Sequence, residues 1–500
     1  MIVRFYNSEL LCEAREGETL LSVFGRYGVS IAAPCGGRHL CGKCKIKIVN
    51  GLFRGDVPDS SGLVLACRTI PETDVTVEIP SLEHTYDGGA YQFISPDGDS
   101  PEQVTGSIKR AGVALDIGTT TVSARLVDLD ARRELGTYSA LNAQKVFGAD
   151  VMSRIGAARA GKTQELFNLI NRQTREILEG FRQKFNVENI ELLTVAANTT
   201  MLHLFANTDP SMMGEVPFTP VFLEERIYSG EELSLRTDKV LLLPSISAFI
   251  GGDIVSGLGE IDILNARETV LFIDIGTNGE MALCHNGKIY CASAAAGPAL
   301  EGAEISCGAG SIRGAINKVE WADGEIRFTT IGGEKPLGIC GCGLIDAMAL
   351  MLDQEVIDEG GAFSDDQRKE FSITQGISLI NRDVRQFQLA KSALLSGIKI
   401  LCKSAGLEPA DVQKVYIAGG LGFYIDQKNA VRTGILPGEF LDRIKVCGNT
   451  SLKGAVKALL DSGFLDYCKK ITAMSGTMEL ASDPAFMDAF AENMLFPFEL

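Results

Sequence analysis

The sequence predicts a multidomain α/β protein, and three observations carry that prediction. Four cysteines, Cys35, Cys41, Cys44 and Cys67, stand in C-x5-C-x2-C-x22-C order among short runs of alternating polar and apolar residues. Strand-and-helix alternation sets in near residue 111 and continues through most of the chain. Within it, a strand closing on Asp-Ile-Gly-Thr and followed by a returning strand occurs twice, at residues 116–119 and 274–277. With 500 residues, 45% of them hydrophobic and 22% charged, the chain can bury several cores.

The first domain is expected at residues 1–82. Residues 2–6, 45–49 and 74–79 alternate like half-buried strands, Asn50-Gly51 marks a turn, and residues 18–28 form a short helix. Cys35, Cys41 and Cys44 share a loop with Gly36, Gly37 and Gly42, whose backbone N–H groups can wrap around a bulky anionic cluster where side chains would clash. Zinc sites usually pair two C-x2-C knuckles. Only one occurs here, beside an x5 spacer close to that of 2Fe-2S ferredoxins. The four thiols therefore favour a 2Fe-2S cluster over zinc. Across residues 1–80 the pattern resembles a β-grasp ferredoxin of the adrenodoxin-like branch. Arg38, His39, Lys43, Lys45 and Lys47 crowd the cysteine loop, either as a basic collar that docks an acidic electron donor or as solvated surface.

Residues 83–110 lack either periodicity and are rich in Gly, Pro, Asp and Ser, which predicts a linker. Beyond it, residues 113–127 read as an apolar strand, the turn Gly118-Thr119-Thr120-Thr121, and a returning strand. Residues 269–283 repeat this around Gly276-Thr277-Asn278. Such a turn suits a phosphate: glycine admits backbone N–H groups, Thr and Asn donate from their side chains, and the preceding Asp116 or Asp274 can hold Mg2+ directly or through water. Two such turns facing each other would clamp a polyphosphate. Gly419-Gly420, after the apolar strand near residue 415, permits close approach of a flat base. Gly251-Gly252-Asp253 opens a helix at an expected hinge, residues 246–268, and a second hinge helix follows Gly448.

This order resembles the ATPase superfamily of sugar kinases, actin and heat-shock chaperones, the ASKHA fold, over residues 111–470. The resemblance implies that Asp116 and Asp274 serve the metal, with Asp253 as a further carboxylate. It assigns Gly118, Thr119, Thr120, Thr121, Gly276, Thr277 and Asn278 to the phosphates, and Gly419 and Gly420 to the adenosine of ATP. Gly156-x4-Gly161-Lys162-Thr163 also spells a P-loop. The residues before it have helical rather than strand spacing, so it reads as a break between two helices. Cys340-Gly-Cys342 offers two thiols, too few for a second metal site. His203, beside Leu202 and Leu204, reads as packed. Residues 471–500 form a tail whose amphipathic helix caps the core.

A net charge of -17 repels phosphate backbones and anionic lipid, so neither nucleic acid nor a membrane is an expected partner. No run of about 18 apolar residues occurs and no apolar signal core opens the chain, which predicts a cytoplasmic protein. The nine cysteines outside the cluster set are scattered, as reduced thiols would be.

Taken end to end, the cysteine set, both Asp-Ile-Gly-Thr turns and residues 147–155, 196–203, 251–253, 274–280 and 296–303 resemble the reductive activators of corrinoid proteins. That resemblance implies ATP-dependent, one-electron reduction of a cobalt(II) corrinoid protein to cobalt(I). It also implies a homodimer that binds its corrinoid partner directly and draws on a low-potential ferredoxin or flavodoxin. Arg38-His39 and Cys342 depart from the smaller residues and the hydroxyl expected there, and an extra middle domain of longer relatives is expected to be missing. The alternatives are an activator of a 2-hydroxyacyl-CoA dehydratase or aromatic-ring reductase, a redox-sensing ATP-binding module, and a small-molecule kinase. The first of these shares a 4Fe-4S centre between subunits, against which four ligands in one chain argue.

Overall fold

The computed structural model describes residues 1–6, 11–27, 29, 31, 39, 44–59, 61–79, 90–93, 107–365, 367–423 and 425–497. They divide into two compact units, Met1–Leu243 with Ala455–Ser462, and Pro244–Gly454 with Gly463–Leu500.

At the N-terminus of the first unit, five strands form one sheet in the order Leu11–Glu13, Ile2–Phe5, Val75–Glu78, Lys45–Asn50, Leu63–Leu65. Ile2–Phe5 and Val75–Glu78 run parallel and the other neighbours antiparallel. The alternation read in the sequence is what buries this sheet. Val3, Phe5, Ile46, Val75 and Val77 form one core with Leu20, Leu21, Val23 and Phe24 of the helix Leu20–Tyr27, and the Phe5 and Phe24 rings lie 5.3 Å apart. This is the β-grasp arrangement expected. The basic collar resolves in part into surface ion pairs, Lys45 with Asp59 at 2.8 Å and Lys47 with Glu78 at 3.4 Å, which contribute little to stability. Arg38 and Lys43 lie outside the described residues.

The rest of the first unit is a seven-stranded sheet, Arg226–Ser229, Lys239–Leu242, Val187–Ala197, Ile108–Ile117, Thr121–Asp128, Arg133–Leu141, Ala90–Phe93. The second unit holds a six-stranded sheet, Ile444–Gly448, Lys414–Ala418, Val270–Ile275, Gly279–His285, Lys288–Ala294, Ser475–Met478. The duplication seen in sequence is a duplication of topology. In each sheet three consecutive strands form an antiparallel meander, and the first of them takes a later strand as its parallel partner. Asp116 pairs with Ala196 and Asp274 with Ala418, so the two carboxylates occupy equivalent places.

Two expectations change. Residues 83–110 are not linker throughout: Ala90–Phe93 pairs with Arg133–Leu141 at the sheet edge, and residues 108–110 open the strand Ile108–Ile117. The alternating Ala-Tyr-Gln-Phe was masked by its Gly-, Pro- and Asp-rich flanks. The tail beyond residue 470 is not only helical, because Ser475–Met478 adds a parallel strand to the six-stranded sheet before the helix Pro484–Glu492, whose Phe486 is buried. Buried Lys391 then donates to the carbonyls of Asn493, at 2.7 Å, and Leu495. The P-loop spelling is the expected break between two helices: helix Val151–Ala157 passes through a single π turn, with Gly161 at φ 81°, into helix Thr163–Phe185. A helix, not a strand, leads directly into it.

The helices Gly252–Glu260 and Thr450–Leu460 meet through small residues. Ser256 Oγ donates to Ser451 O at 2.7 Å, and a Cβ on Gly454 would lie 2.3 Å from Ser256 O. Among the described residues no helix is long and apolar enough to cross a membrane.

Candidate functional site

The first Asp-Ile-Gly-Thr turn joins Ile108–Ile117 to Thr121–Asp128 and is closed by Gly118 N donating to Thr121 O at 2.9 Å. A Cβ on Gly118 would lie 2.8 Å from Thr121 O, which is why glycine stands there. The surrounding side chains hold the turn by its carbonyls. Asn142 Nδ2 donates to Gly118 O at 2.8 Å, Asn142 N to Thr120 O at 2.9 Å, and Arg154 Nη2 to Thr119 O. Asn198, the N-cap of helix Thr199–Phe205, donates to Thr119 Oγ1 at 3.2 Å. Asp116, Thr119 and Thr120 are half-buried and Thr121 is exposed.

The second turn is one residue tighter, with Gly276 N donating to Asn278 O at 2.9 Å. Its supports are carboxylic. Thr277 Oγ1 donates to Glu301 Oε2 at 2.5 Å. Asp253, on the first turn of helix Gly252–Glu260, and Asp274 both act on Glu280. Although some of the residue reaches the surface, the Glu280 carboxyl is pushed well above the usual carboxylate range, first by burial and then by the negative charges of Asp253 and Asp274. Negative charge crowded in this way is what a cation relieves. Among the described residues no group of three or more His, Cys, Asp or Glu is arranged to hold a metal by itself. The arrangement fits Mg2+ bound through one or two carboxylates, with water and substrate oxygens completing its shell.

Gly419 and Gly420, assigned together in sequence, differ in surroundings. Gly419 has φ 88°, and a Cβ there would lie 2.5 Å from Asp274 Oδ1 and 2.8 Å from Ile275 O. Its absent side chain makes room for the Asp274 carboxylate. A Cβ on Gly420 would meet nothing within 4 Å. Of the pair, Gly420 has the open space a base requires.

At the end of the ferredoxin sheet, Cys44 immediately precedes Lys45–Asn50 and Cys67 follows Leu63–Leu65. These strands are antiparallel neighbours, and Ala66 N donates to Cys44 O at 2.8 Å, so both cysteines arrive at one end of the sheet. Both thiols are buried and neither is in a disulfide. Cys35 and Cys41 lie outside the described residues. Two buried, unbridged thiols at one sheet end fit half of a four-thiolate cluster site.

Cys340 and Cys342 open the helix Gly341–Asp353. A hydrogen bond from the Cys342 side chain holds the Cys340 thiol down to about 6 against the effect of burial, and Cys342 Sγ contacts Leu421 O at 3.2 Å. His203 is packed, as expected: its ring stacks on Phe222 at 4.2 Å, Nδ1 meets Thr199 O at 2.7 Å, and Nε2 accepts from Val221 N at 3.0 Å.

Asn142, Arg154, Asn198, Glu280 and Glu301 carry no motif that marks them as site residues in the sequence. All but Asn142 lie in stretches that carry the family resemblance, which is the one sequence signal that points to them.

Residues 5–72 match the 2Fe-2S iron-sulfur cluster binding domain, residues 111–265 the RACo middle region, and residues 268–499 the C-terminal domain of RACo, the ASKHA domain. The middle region expected to be missing is therefore represented. The chain is 32% identical over 417 residues to the corrinoid activation enzyme RamQ of Eubacterium limosum, covering 77% of this chain and 70% of that protein. It is 30% identical over 402 residues to the Co(II) methylated amine-specific corrinoid protein reductase of Methanosarcina barkeri, covering 72% and 73%. A solved reductive activator for corrinoid, iron-sulfur protein superposes with a TM-score of 0.73 at 28% identity, covering 99% of this chain and 98% of that one.

Proposed function

Because the chain belongs to the family of reductive activators of corrinoid proteins, we propose that it uses Mg-ATP to move one electron from a 2Fe-2S cluster onto a cobalt(II) corrinoid protein, returning the metal to cobalt(I). When bound, the cluster supplies a one-electron carrier near about -400 mV and Mg-ATP supplies the driving free energy. A harder acceptor lowers the transfer equilibrium tenfold for every 59 mV or so of deficit. Nucleotide offsets this only if the ATP and ADP forms of the chain bind the corrinoid protein differently.

The chain's residues divide the work. Cys35, Cys41, Cys44 and Cys67 hold the cluster. Asp253 and Asp274 hold Mg2+ on the second turn, with Asp116 as the equivalent carboxylate on the first. Gly118, Thr119, Thr120 and Thr121, together with Gly276, Thr277 and Asn278, bind phosphate oxygens, and Gly420 admits the adenosine. A low-potential ferredoxin or flavodoxin reloads the cluster, and the working form is a homodimer.

The observation that carries this reading is the joining, in one chain, of a sheet end bearing buried, unbridged Cys44 and Cys67 to a duplicated pair of Asp-Ile-Gly-Thr turns. The test is to mix the pre-reduced protein with a cobalt(II) corrinoid protein, with and without Mg-ATP, and follow the cobalt absorption. Cobalt(I) should form at an appreciable rate only with the nucleotide. Equal reduction without it would leave a simple ferredoxin activity.

A further inference from the structure

Arg154 is among the largest fully buried side chains of the molecule, and its guanidinium is spent on backbone and sulfur. It sits on helix Val151–Ala157, whose start is fixed by Asp150 accepting from Ser153 N at 2.7 Å. Just before the helix, Gly148 approaches so closely that its Cβ would lie 2.3 Å from Ser153 Cβ. From this anchored position Nε donates to Gly148 O at 3.1 Å, Nη1 to Met201 Sδ at 3.0 Å, and Nη2 to Thr119 O. Met201 belongs to the helix capped by Asn198, so Arg154 ties the first turn to two neighbouring segments, the bend at Gly148 and that helix.

The consequence lies in the peptide planes. In a trans peptide C=O and N–H point in opposite directions. Asn142 holds Gly118 O and Arg154 holds Thr119 O, so the N–H groups of Thr119 and Thr120 are directed away from those two supports. Successive N–H groups fixed on one side of a turn form an anion-binding concavity. A guanidinium stays charged at any pH the protein meets, so the turn is also backed by a permanent positive charge in a buried, weakly screened place.

Resting on the nucleotide reading above, we propose that Arg154 is the positioning residue of the first turn: it fixes the Thr119–Thr120 peptide for phosphate and supplies the buried charge that a polyphosphate meets there. Arg154 does not need to touch the nucleotide. It acts through Thr119, and its effect should scale with the number of phosphates and leave the nucleoside part unaffected.

The experiment is calorimetric titration of the full-length protein with ATP, ADP and AMP, in the wild type, Arg154→Lys and Arg154→Met. Arg154→Met should weaken ATP and ADP by about tenfold to a hundredfold and AMP by less than about twofold, the scale of a hydrogen bond from a charged group. Arg154→Lys, which keeps the charge but loses the fork, should fall between. Circular dichroism and the visible iron-sulfur spectrum should stay as in the wild type. If folded Arg154→Met binds ATP within about twofold of wild type, or loses AMP as heavily as ATP, the proposal is overturned. If Arg154→Met does not fold, a wild-type ratio of ATP to AMP affinity in Arg154→Lys overturns it equally. A wild type that binds no ATP would bring down the nucleotide reading itself. A wild type that binds ATP beside an indifferent Arg154 variant brings down this inference alone.

Discussion

At residues 118–121 the supporting side chains are Asn142, Arg154 and Asn198, two amides and a guanidinium, whereas at residues 276–278 the support is Glu301, with Asp253, Asp274 and Glu280 close by. The backbones are copies, since each turn follows a strand whose Asp pairs with an Ala of a parallel partner. Even the position two beyond that Ala corresponds, Asn198 in one unit and Gly420 in the other. Duplication preserved the register while the side chains around each turn took opposite charge. Donors and a cation suit phosphate oxygens; carboxylates suit the metal that accompanies them. The second turn should therefore be sensitive to loss of carboxylate placement and the first to any added negative charge.

The largest effect is expected at Gly419. With φ 88° and Asp274 Oδ1 2.5 Å from the position of a new Cβ, Gly419→Ala should cost about 2 kcal/mol or more and displace the carboxylate, seen as a lower unfolding midpoint and weaker Mg-ATP binding. Gly420→Ala, with open space around it, should change stability by less than about 0.5 kcal/mol. Equal damage from both would mean that the pair acts as one unit. Next, Asn198→Asp brings a carboxylate to Thr119 Oγ1 and should weaken ATP binding about tenfold by calorimetry, while Glu301→Gln on the other turn should change it less. A reversed order would break the contrast.

Glu280→Gln removes a carboxyl that burial and two like charges already disfavour as an anion, so it should stabilise the metal-free protein by up to about 1 kcal/mol, seen as a small rise in its unfolding midpoint. A lower midpoint would mean that the carboxyl is needed where it stands. The smallest effect concerns pH. Burial lowers the His203 pKa below its ordinary 6.5, so the folded ring is neutral, with Nε2 accepting from Val221 N. Its contribution is complete above the unfolded pKa of 6.5 and is lost as pH falls from there toward the lower folded value. Unfolding midpoints measured between about pH 7 and 5 should fall, and His203→Gln should flatten that slope.

Much of this was legible in the sequence because it rests on local pattern. Period-two alternation fixed the ferredoxin strands, and the repeated Asp-Ile-Gly-Thr exposed the duplication. The helical spacing before Gly156 disqualified the P-loop spelling. What stayed hidden depends on distant residues meeting. Asn142 and Arg154 reach the first turn from beyond the meander; the family resemblance covers Arg154 but not Asn142, and no local pattern ties either of them to that turn. Gly419 and Gly420 look alike in a strand-Gly-Gly run, and only the parallel pairing with Val270–Ile275 shows that the first of them makes room for Asp274. Ser475–Met478 is a short edge strand of ordinary composition, recognisable only by the partner it pairs with.

Single-turnover reduction of a cobalt(II) corrinoid protein by pre-reduced wild type and by Asp274→Asn, each with and without Mg-ATP and followed by the cobalt(II) paramagnetic signal, tests the coupling most directly. The wild-type signal should vanish only with nucleotide, and Asp274→Asn, its iron-sulfur spectrum intact, should stay at the nucleotide-free rate. A variant that Mg-ATP accelerates as fully as wild type would contradict the account.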